Sequence, residues 1–573
     1  MTAQIEISNL YYRPASLPPE QPDILRGISL RIEEGAFIAV VGENGSGKTT
    51  LIKHINGLLL PSKGRVCVEG MDTKDPQNVR SLRAKVGLVF QNPAYQIVAS
   101  TVEEDIAFGL ENLNLASKTI QLIVSEQLIS AGLFEEASHP PHLLSDGQIQ
   151  GLALAGVLAR QPSVILFDEP TSMLDPLSRS NLITRILDLK QKGITIIYVT
   201  HHMEEAVKAD RVIVMKQGQV LLEGSPHEIF VKNDILYEIG LEVPATLKIA
   251  KGFRSLGWGI PPSVITPDAL IKALPKYNGH ASVSQVNPFI EPAEKIINFC
   301  DVEYTYMAGS PLAKAALRGV NLDIFGQSVH GIAGSNGSGK STLLQHINGI
   351  LRPSNGHLSV GQFVLENNET SLREIIEHVG LVFQNPETQF FEVFVGDEVA
   401  YGPKQFNMGD LRERVRSAMA LVSLDFETYK DRRLETLSGG EKRKVALSST
   451  LILDQDILLF DEPTAGMDPH ARDDLLTLFR HLKDQGKTIV IASHRMEELA
   501  EVTNQLSIMR DGQVEKTGPS HDILNSENLK QAGLEPPLAV CISKQLIKNG
   551  WPIAGKNTTT AKRLIRTIQE VTQ

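Results

Sequence analysis

Cysteine is scarce in this 573-residue chain. Cys67, Cys300 and Cys541 are its three, far apart and without the spacing of a metal-ligand set or a disulfide framework, which points to a reducing interior. Long apolar runs are missing too. A membrane helix needs about 18–20 uninterrupted apolar residues, and the best stretch, 151–167, is broken by Arg160, Gln161 and Pro162. The opening MTAQIEISNL lacks the basic-then-apolar pattern of a signal peptide. If the protein serves a membrane, the expectation is that it does so from the cytosolic side, through a partner. Nor is there a surplus of positive charge: 56 Lys and Arg against 67 Asp and Glu give a formal net charge of -11. That balance disfavours general attraction to nucleic acid. The remaining composition, 42% hydrophobic and 21% charged, is that of an ordinary soluble globular protein. The length suggests three or four domain-sized units.

Repetition is the informative feature. GENGSGKTT at 42–50 returns as GSNGSGKST at 334–342, VFQNP at 89–93 returns at 382–386, and LFDEPT at 166–171 returns at 459–464. THHMEEA at 200–206 is echoed by SHRMEEL at 493–499. Every motif recurs 292 or 293 residues on, so a whole domain has been duplicated. GLEVP at 240–244 and GLEPP at 533–537 extend the repeat, each followed by an amphipathic helical pattern. The expected organisation is a large domain at 1–240, its appendage at 241–274, a linker at 275–293, a second large domain at 294–532 and its appendage at 533–573. Apolar β-rich runs at 37–41, 164–167 and 195–199 alternate with helical stretches, which predicts an α/β fold with a largely parallel sheet in each half.

The first repeated motif follows a predicted strand and opens a predicted helix, the context of a P-loop. Gly42, Glu43, Asn44, Gly45, Ser46 and Gly47 would curl backbone N–H groups around phosphates, with Lys48 reaching the β- and γ-phosphates and Thr49 and Thr50 opening the helix. Gly334, Ser335, Asn336, Gly337, Ser338 and Gly339 repeat the loop before Lys340, Ser341 and Thr342. Thr49 and Ser341 are candidate magnesium ligands. Asp168 and Asp461 end the strands VILFD and ILLFD, placing a carboxylate beside that metal. Glu169 and Glu462 follow, where a general base could polarise water. In isolation, "DE" after a strand reads equally as a helix cap; next to a P-loop that is the weaker reading. Gln91 and Gln384 share one context and could touch metal or water. His201 and His494 follow a strand and could reach the γ-phosphate; a lone histidine is usually structural, but two in one register favour function. His202 aligns with Arg495 and receives no role.

LSGGE at 437–441, with Ser438 placed to cap a helix, resembles the ABC signature; the first half has LSDGQ at 144–148, with Asp146 where glycine is expected. Taken together, the order of motifs resembles the ABC ATPase family over 5–224 and 297–518. The resemblance implies two P-loop NTPase domains of ABC type in tandem, each with a helical signature subdomain and a small C-terminal appendage. It implies ATP and Mg2+ as cofactors, with Ser145, Gly147, Ser438 and Gly440 completing the nucleotide sites, each ATP lying between the P-loop of one half and the signature of the other. HxNGLLxPxxG at 54–64 and QNPxxQ…TVEEDxAFG at 91–109 are similar to the energy-coupling factor ATPases of vitamin and transition-metal uptake. The second half departs, with VGDEVAYG at 395–402. The subfamily implies integral membrane transporter partners with a separate substrate-binding membrane protein, no nucleic acid, an internal pair of halves, and a peripheral place on the cytoplasmic face of the cell membrane. Tyr12 and Tyr306 are candidates for adenine stacking, against core strand residues.

Two other classes compete. A ribosome-acting twin-ABC translation factor would insert a long charged helical linker, and a DNA-repair or chromosome ATPase would insert long heptad coiled coils; neither is present. Two further expectations follow. The segment after Gln91 through 101–109 should form a groove for a coupling helix, unless Val102, Ile106 and Phe108 are simply core. The two ATP sites should also be unequal: Lys442, Arg443 and Lys444 oppose Glu441 in the second signature helix, whereas Asp146 is the one charge in the first. Asp146 would repel the nucleotide, unless it caps the helix.

Overall fold

The computed structural model describes residues 3–572 apart from 16, 18–20, 173, 278–293, 311–312, 366–369, 466, 468 and the side chain of 146. Of the linker expected at 275–293, only 275–277 are among the described residues. By spatial contact the chain divides into two compact units, Met1–Ala250 with Ile260–Leu270, and Lys251–Gly259 with Ile271–Gln573.

In the first unit, Ala3–Tyr12 pairs antiparallel with Leu25–Glu33 and Lys63–Val68, and Met71–Asp72 completes a four-stranded sheet. Sequence periodicity did not reveal this layer. The register slips near Asn9, which adopts a left-handed φ of 48°, and such a bulge breaks the period-2 alternation that marks a strand.

The near-continuous apolar runs form the second layer. Val86–Val89, Val164–Asp168, Thr195–Val199, Phe37–Gly42 and Arg211–Lys216 lie parallel in that spatial order, and Gln219–Gly224 closes the edge antiparallel. Every residue of the three expected strands is buried, as parallel strands covered on both faces require. Ile38, Val40 and Leu166 pack towards Ile5, Leu30 and Leu51, the last on the helix Lys48–Ile55. Phe37, Phe167 and Tyr198 pack on the other face with Phe230.

Helices Val102–Glu111, Ser117–Ala131 and Asp146–Leu158 form a separate helical layer around Val102, Ile106, Leu128 and Leu152. Val102 and Ile106 are therefore core, whereas Phe108 is half exposed.

The second unit repeats both sheets. Lys314–Phe325, Lys295–Tyr306, Asn355–Val360 and Phe363–Val364 form the first, and Val379–Val382, Ile457–Asp461, Thr488–Ser493, Val329–Ala333, Gln505–Arg510 and Gln513–Pro519 the second. Among the described residues no helix is long and apolar enough to cross a membrane.

Aromatic packing marks one corner of the second unit. Trp258 stacks on Phe253 at 4.5 Å and tilts onto Trp551 at 4.8 Å, and Tyr277 meets Trp551 at 5.0 Å. Trp551 is 6% exposed, and its indole N–H donates to the Pro275 carbonyl at 2.9 Å. Replacing a buried aromatic by alanine removes contact area and leaves a cavity, at about 3–5 kcal/mol. Trp551→Ala should thus lower the urea midpoint of the second unit, followed through the one remaining tryptophan, Trp258. A midpoint indistinguishable from wild type would show that the cluster is peripheral to its stability.

Candidate functional site

Parallel strands deliver their carboxyl ends to one edge of each sheet, and there the chemistry-bearing residues converge. The helix Lys48–Ile55 starts from Gly47 with φ 97°, and Lys340–Ile347 from Gly339 with φ 104°. A Cβ on Gly47 would stand 2.7 Å from Leu25 Cδ2, and one on Gly339 2.7 Å from the Ala316 carbonyl. Both conformation and space demand glycine here. Beneath the loop, Lys48 Nζ donates to the carbonyls of Gly42 (2.9 Å) and Glu43 (3.0 Å); Lys340 does so to Gly334 and Ser335, both at 2.9 Å. Burial pulls the Lys48 ammonium below its ordinary pKa, against the opposing pull of Glu169, Asp168 and Glu43. A buried cation met mainly by carbonyls, at a helix N-terminus, is arranged for a phosphate.

A cleft of about 560 Å³ opens over the first loop, lined on one side by Asn44, Gly45, Gly47, Lys48, Thr49 and Thr50, with Gln91 and Glu169. The rest of its wall was not foreseen from sequence: Gln21, Asp23, Ile24, Arg26 and Gln217. Arg13 braces that wall, donating from Nε to Asp23 Oδ1 and from Nη2 to the Gln21 carbonyl, both at 2.6 Å. The proline-rich run at 14–22 was the available signal. Tyr12 is outside the lining; its ring sits edge-on to His54 at 4.7 Å. Tyr306 places its hydroxyl 3.2 Å from Thr342 Oγ1.

The acidic strand ends lie beside the loops. Thr49 Oγ1 donates to Asp168 Oδ1 at 2.9 Å, and Ser341 is hydrogen-bonded to Asp461. Burial raises the pKa of both aspartates; the hydroxyls lower it, and the neighbouring glutamates raise it further. Asp461 Oδ1 is buried with no hydrogen-bond partner. Carboxylate and hydroxyl oxygens of this kind suit a hard cation that keeps water and phosphate ligands, as Mg2+ does. The described residues hold no cluster of three His, Cys, Asp or Glu able to bind a metal alone, so such a cation would need the phosphates.

Glu169 and Glu462 share a backbone feature invisible in sequence: φ is 47° at one and 45° at the other. A non-glycine residue held there costs roughly 1–3 kcal/mol, and such strain clusters at functional sites. The strand register enforces it, because Glu169 N–H donates to the Val199 carbonyl (3.0 Å) and Glu462 N–H to that of Ala492 (2.9 Å). The two carboxylates then differ. Glu169 touches His201 Nε2 and accepts from Gln91 Nε2 at 2.9 Å. Glu462 is 4% exposed and accepts from the His494 N–H (3.1 Å) and from Ser493 Oγ (3.2 Å), with His494 Nδ1 at 2.8 Å. Burial drives its pKa up, but His494, Lys340 and Arg495 outweigh burial and hold it below the ordinary value. The Gln384 side chain is exposed.

Ser145 and Ser438 each cap their helix, Asp146–Leu158 and Gly439–Leu451, in a reciprocal box with Gln148 and Glu441. Asp146 is thus the first helical residue and not the cap; its side chain lies outside the described residues. Gly147 and Gly440 fall in the same first turns.

The family model described as ABC transporter matches residues 25–172 and again 317–465. A protein of Caldanaerobacter subterraneus subsp. tengcongensis, named as an ABC transporter ATP-binding protein, is 33% identical over 92% of this chain and 94% of its own. One from Methanosarcina mazei with the same designation is 32% identical over 97% of this chain and 96% of its own. The energy-coupling factor transporter ATP-binding protein EcfA1 of Clostridium novyi is 46% identical over 47% of this chain and 97% of its own.

Because the folded Glu462 carboxyl has a lowered pKa, its ionised form stabilises the fold above the unfolded value of about 4.3. That contribution is lost as pH falls through the folded value. Glu462→Gln should therefore be less stable than wild type at pH 7, with the gap closing below about pH 4, measured by urea unfolding at each pH. A gap unchanged down to pH 3 would show that charge is not what Glu462 contributes.

Proposed function

The chain belongs to the ABC transporter family of ATP-binding proteins, with the ABC domain present twice, and on that premise we propose that it is the ATP-hydrolysing motor of an energy-coupling-factor-type importer. The observation that carries the reading is the paired constellation of buried P-loop lysine, hydroxyl-bonded aspartate and strained glutamate in both units. The half-length relatives named for the energy-coupling factor transporter support transport as the work done; uptake, with a vitamin or metal ion as the cargo class, is what the motif resemblance at 54–64 and 91–109 implies.

In each half, the P-loop backbone and Lys48 or Lys340 hold the triphosphate. Thr49 with Asp168, and Ser341 with Asp461, would hold Mg2+, which supplies charge neutralisation at the phosphates. Glu169 and Glu462 take the proton from the attacking water, and His201 and His494 orient them. Gln91 contacts the base in the first half. The membrane partner would be met through the segment following Gln91, where Tyr95 and Val98 are 84% and 65% exposed and Phe108 joins them. The protein would then work at the cytoplasmic face of the membrane, peripherally.

Two experiments test this reading. Tyr95→Ala with Val98→Ser should abolish uptake in cells or vesicles while ATPase activity of the isolated chain stays within about twofold; unchanged uptake would remove this segment from the coupling contact. Lys48→Ala and Lys340→Ala should cost turnover unequally, the former by more, because the LSGGE signature serves Lys48 in the arrangement the family implies. Equal losses would sink the inequality.

A further inference from the structure

The second unit contains a buried cation that the catalytic constellation does not use. Arg443, on the signature helix Gly439–Leu451, is 7% exposed. Its Nη1 donates to the main-chain carbonyl of Glu462 at 2.5 Å and its Nη2 to that of Gln384 at 2.6 Å. One planar guanidinium thus ties three separate pieces of chain: the signature helix, the strained turn that carries the base, and the loop that carries Gln384. Burial brings its pKa down to about 10, with Glu462 and Asp461 opposing that fall, so it is charged at neutral pH. A charge in that position is held by a fixed fork of donors that lysine cannot reproduce.

The first unit is built differently at the same register. Gln150 stands where Arg443 does, 2% exposed, and its side-chain nitrogen is buried with no hydrogen-bond partner. Glu169 and Gln91 are linked instead through their own side chains. A left-handed glutamate therefore occurs in both halves, but among the described residues only in the second is its carbonyl pinned by a cation on the signature helix.

We infer that Arg443 is a positioning residue of the second half alone, which fixes Glu462 and Gln384 to the signature helix so that this base is set only when that helix is in place. The inference rests on the ATPase reading above, with Glu169 and Glu462 as the two bases.

The test uses the full chain and ATP with Mg2+. In a Glu169→Gln background the remaining turnover reports on Glu462, and adding Arg443→Gln should lower kcat about ten- to a hundredfold, the scale of a small misplacement of a catalytic group, with KM changed less than about threefold. In a Glu462→Gln background, Arg443→Gln can act only through the charge of the signature helix that serves Lys48, and the fall in residual turnover should be at least about fivefold smaller than in the first background. A loss of equal size in both backgrounds, or none in the first, overturns the inference, because a general structural role would not depend on which base remains. Arg443→Lys sharpens the comparison, and replaces it if Arg443→Gln does not fold: it keeps the charge of the signature helix but cannot span both carbonyls, so kcat should fall at least about fivefold more in the first background than in the second. Wild-type turnover in Glu169→Gln with Glu462→Gln would instead refute the base assignment itself, and separates the two failures.

Discussion

Each unit is organised around a buried ammonium that donates to main-chain carbonyls. Lys48 and Lys340 are 5% and 6% exposed, and each donates to two carbonyls of the loop that wraps it. Carbonyl dipoles meet donors but do not neutralise charge, and burying a cation is costly. The nearby carboxylates, Asp168 and Glu169 or Asp461 and Glu462, lower that cost without closing the site, because they sit at the end of a parallel strand one place removed from the strand that leads into the loop. The parallel sheet is the condition for this: it alone brings Gly42, Asp168 and Val199 to one edge.

The same edge explains the strain. Glu169 and Glu462 follow directly on strands whose last residues are still in register with the neighbouring strand. Their N–H groups stay bonded to that neighbour, so the chain must turn away within one residue. The left-handed conformation is the outcome, and it aims the carboxylate back across the strand end. What holds the carboxylate afterwards differs between halves. A partly exposed histidine and Gln91 hold Glu169, whereas Glu462 is enclosed by Ser493, His494 and the charge of Lys340. Duplication kept the turn and let its surroundings diverge.

The helical layer obeys a separate constraint. Its own small core holds Val102, Ile106 and Leu152, which leaves its outer residues free to serve a partner. Tyr95, Val98 and Phe108 are large, apolar and exposed on or near this layer, an arrangement with no stabilising value to the unit that bears it. Such residues are the ones a docking partner would cover.

Much of this was legible in the sequence. The repeat, the P-loops, the acidic strand ends and the apolar parallel strands are local features, and local features survive in one dimension. Val102 and Ile106, by contrast, fitted either a groove or a core until burial separated them from Phe108. The four-stranded antiparallel sheet was hidden by its bulges, and the cleft wall around Gln21 and Arg26 by its distance from any motif. Arg443 stood in the sequence as one charge among three on a helix. Only tertiary structure showed that it lies under two carbonyls from distant segments while Gln150 lies under none. Sequence determines which groups a chain carries and their local backbone preferences. Which of them meet at a separation of 59 positions, as Arg443 and Gln384 do, is decided by packing, because contact between distant segments depends on how the layers between them close.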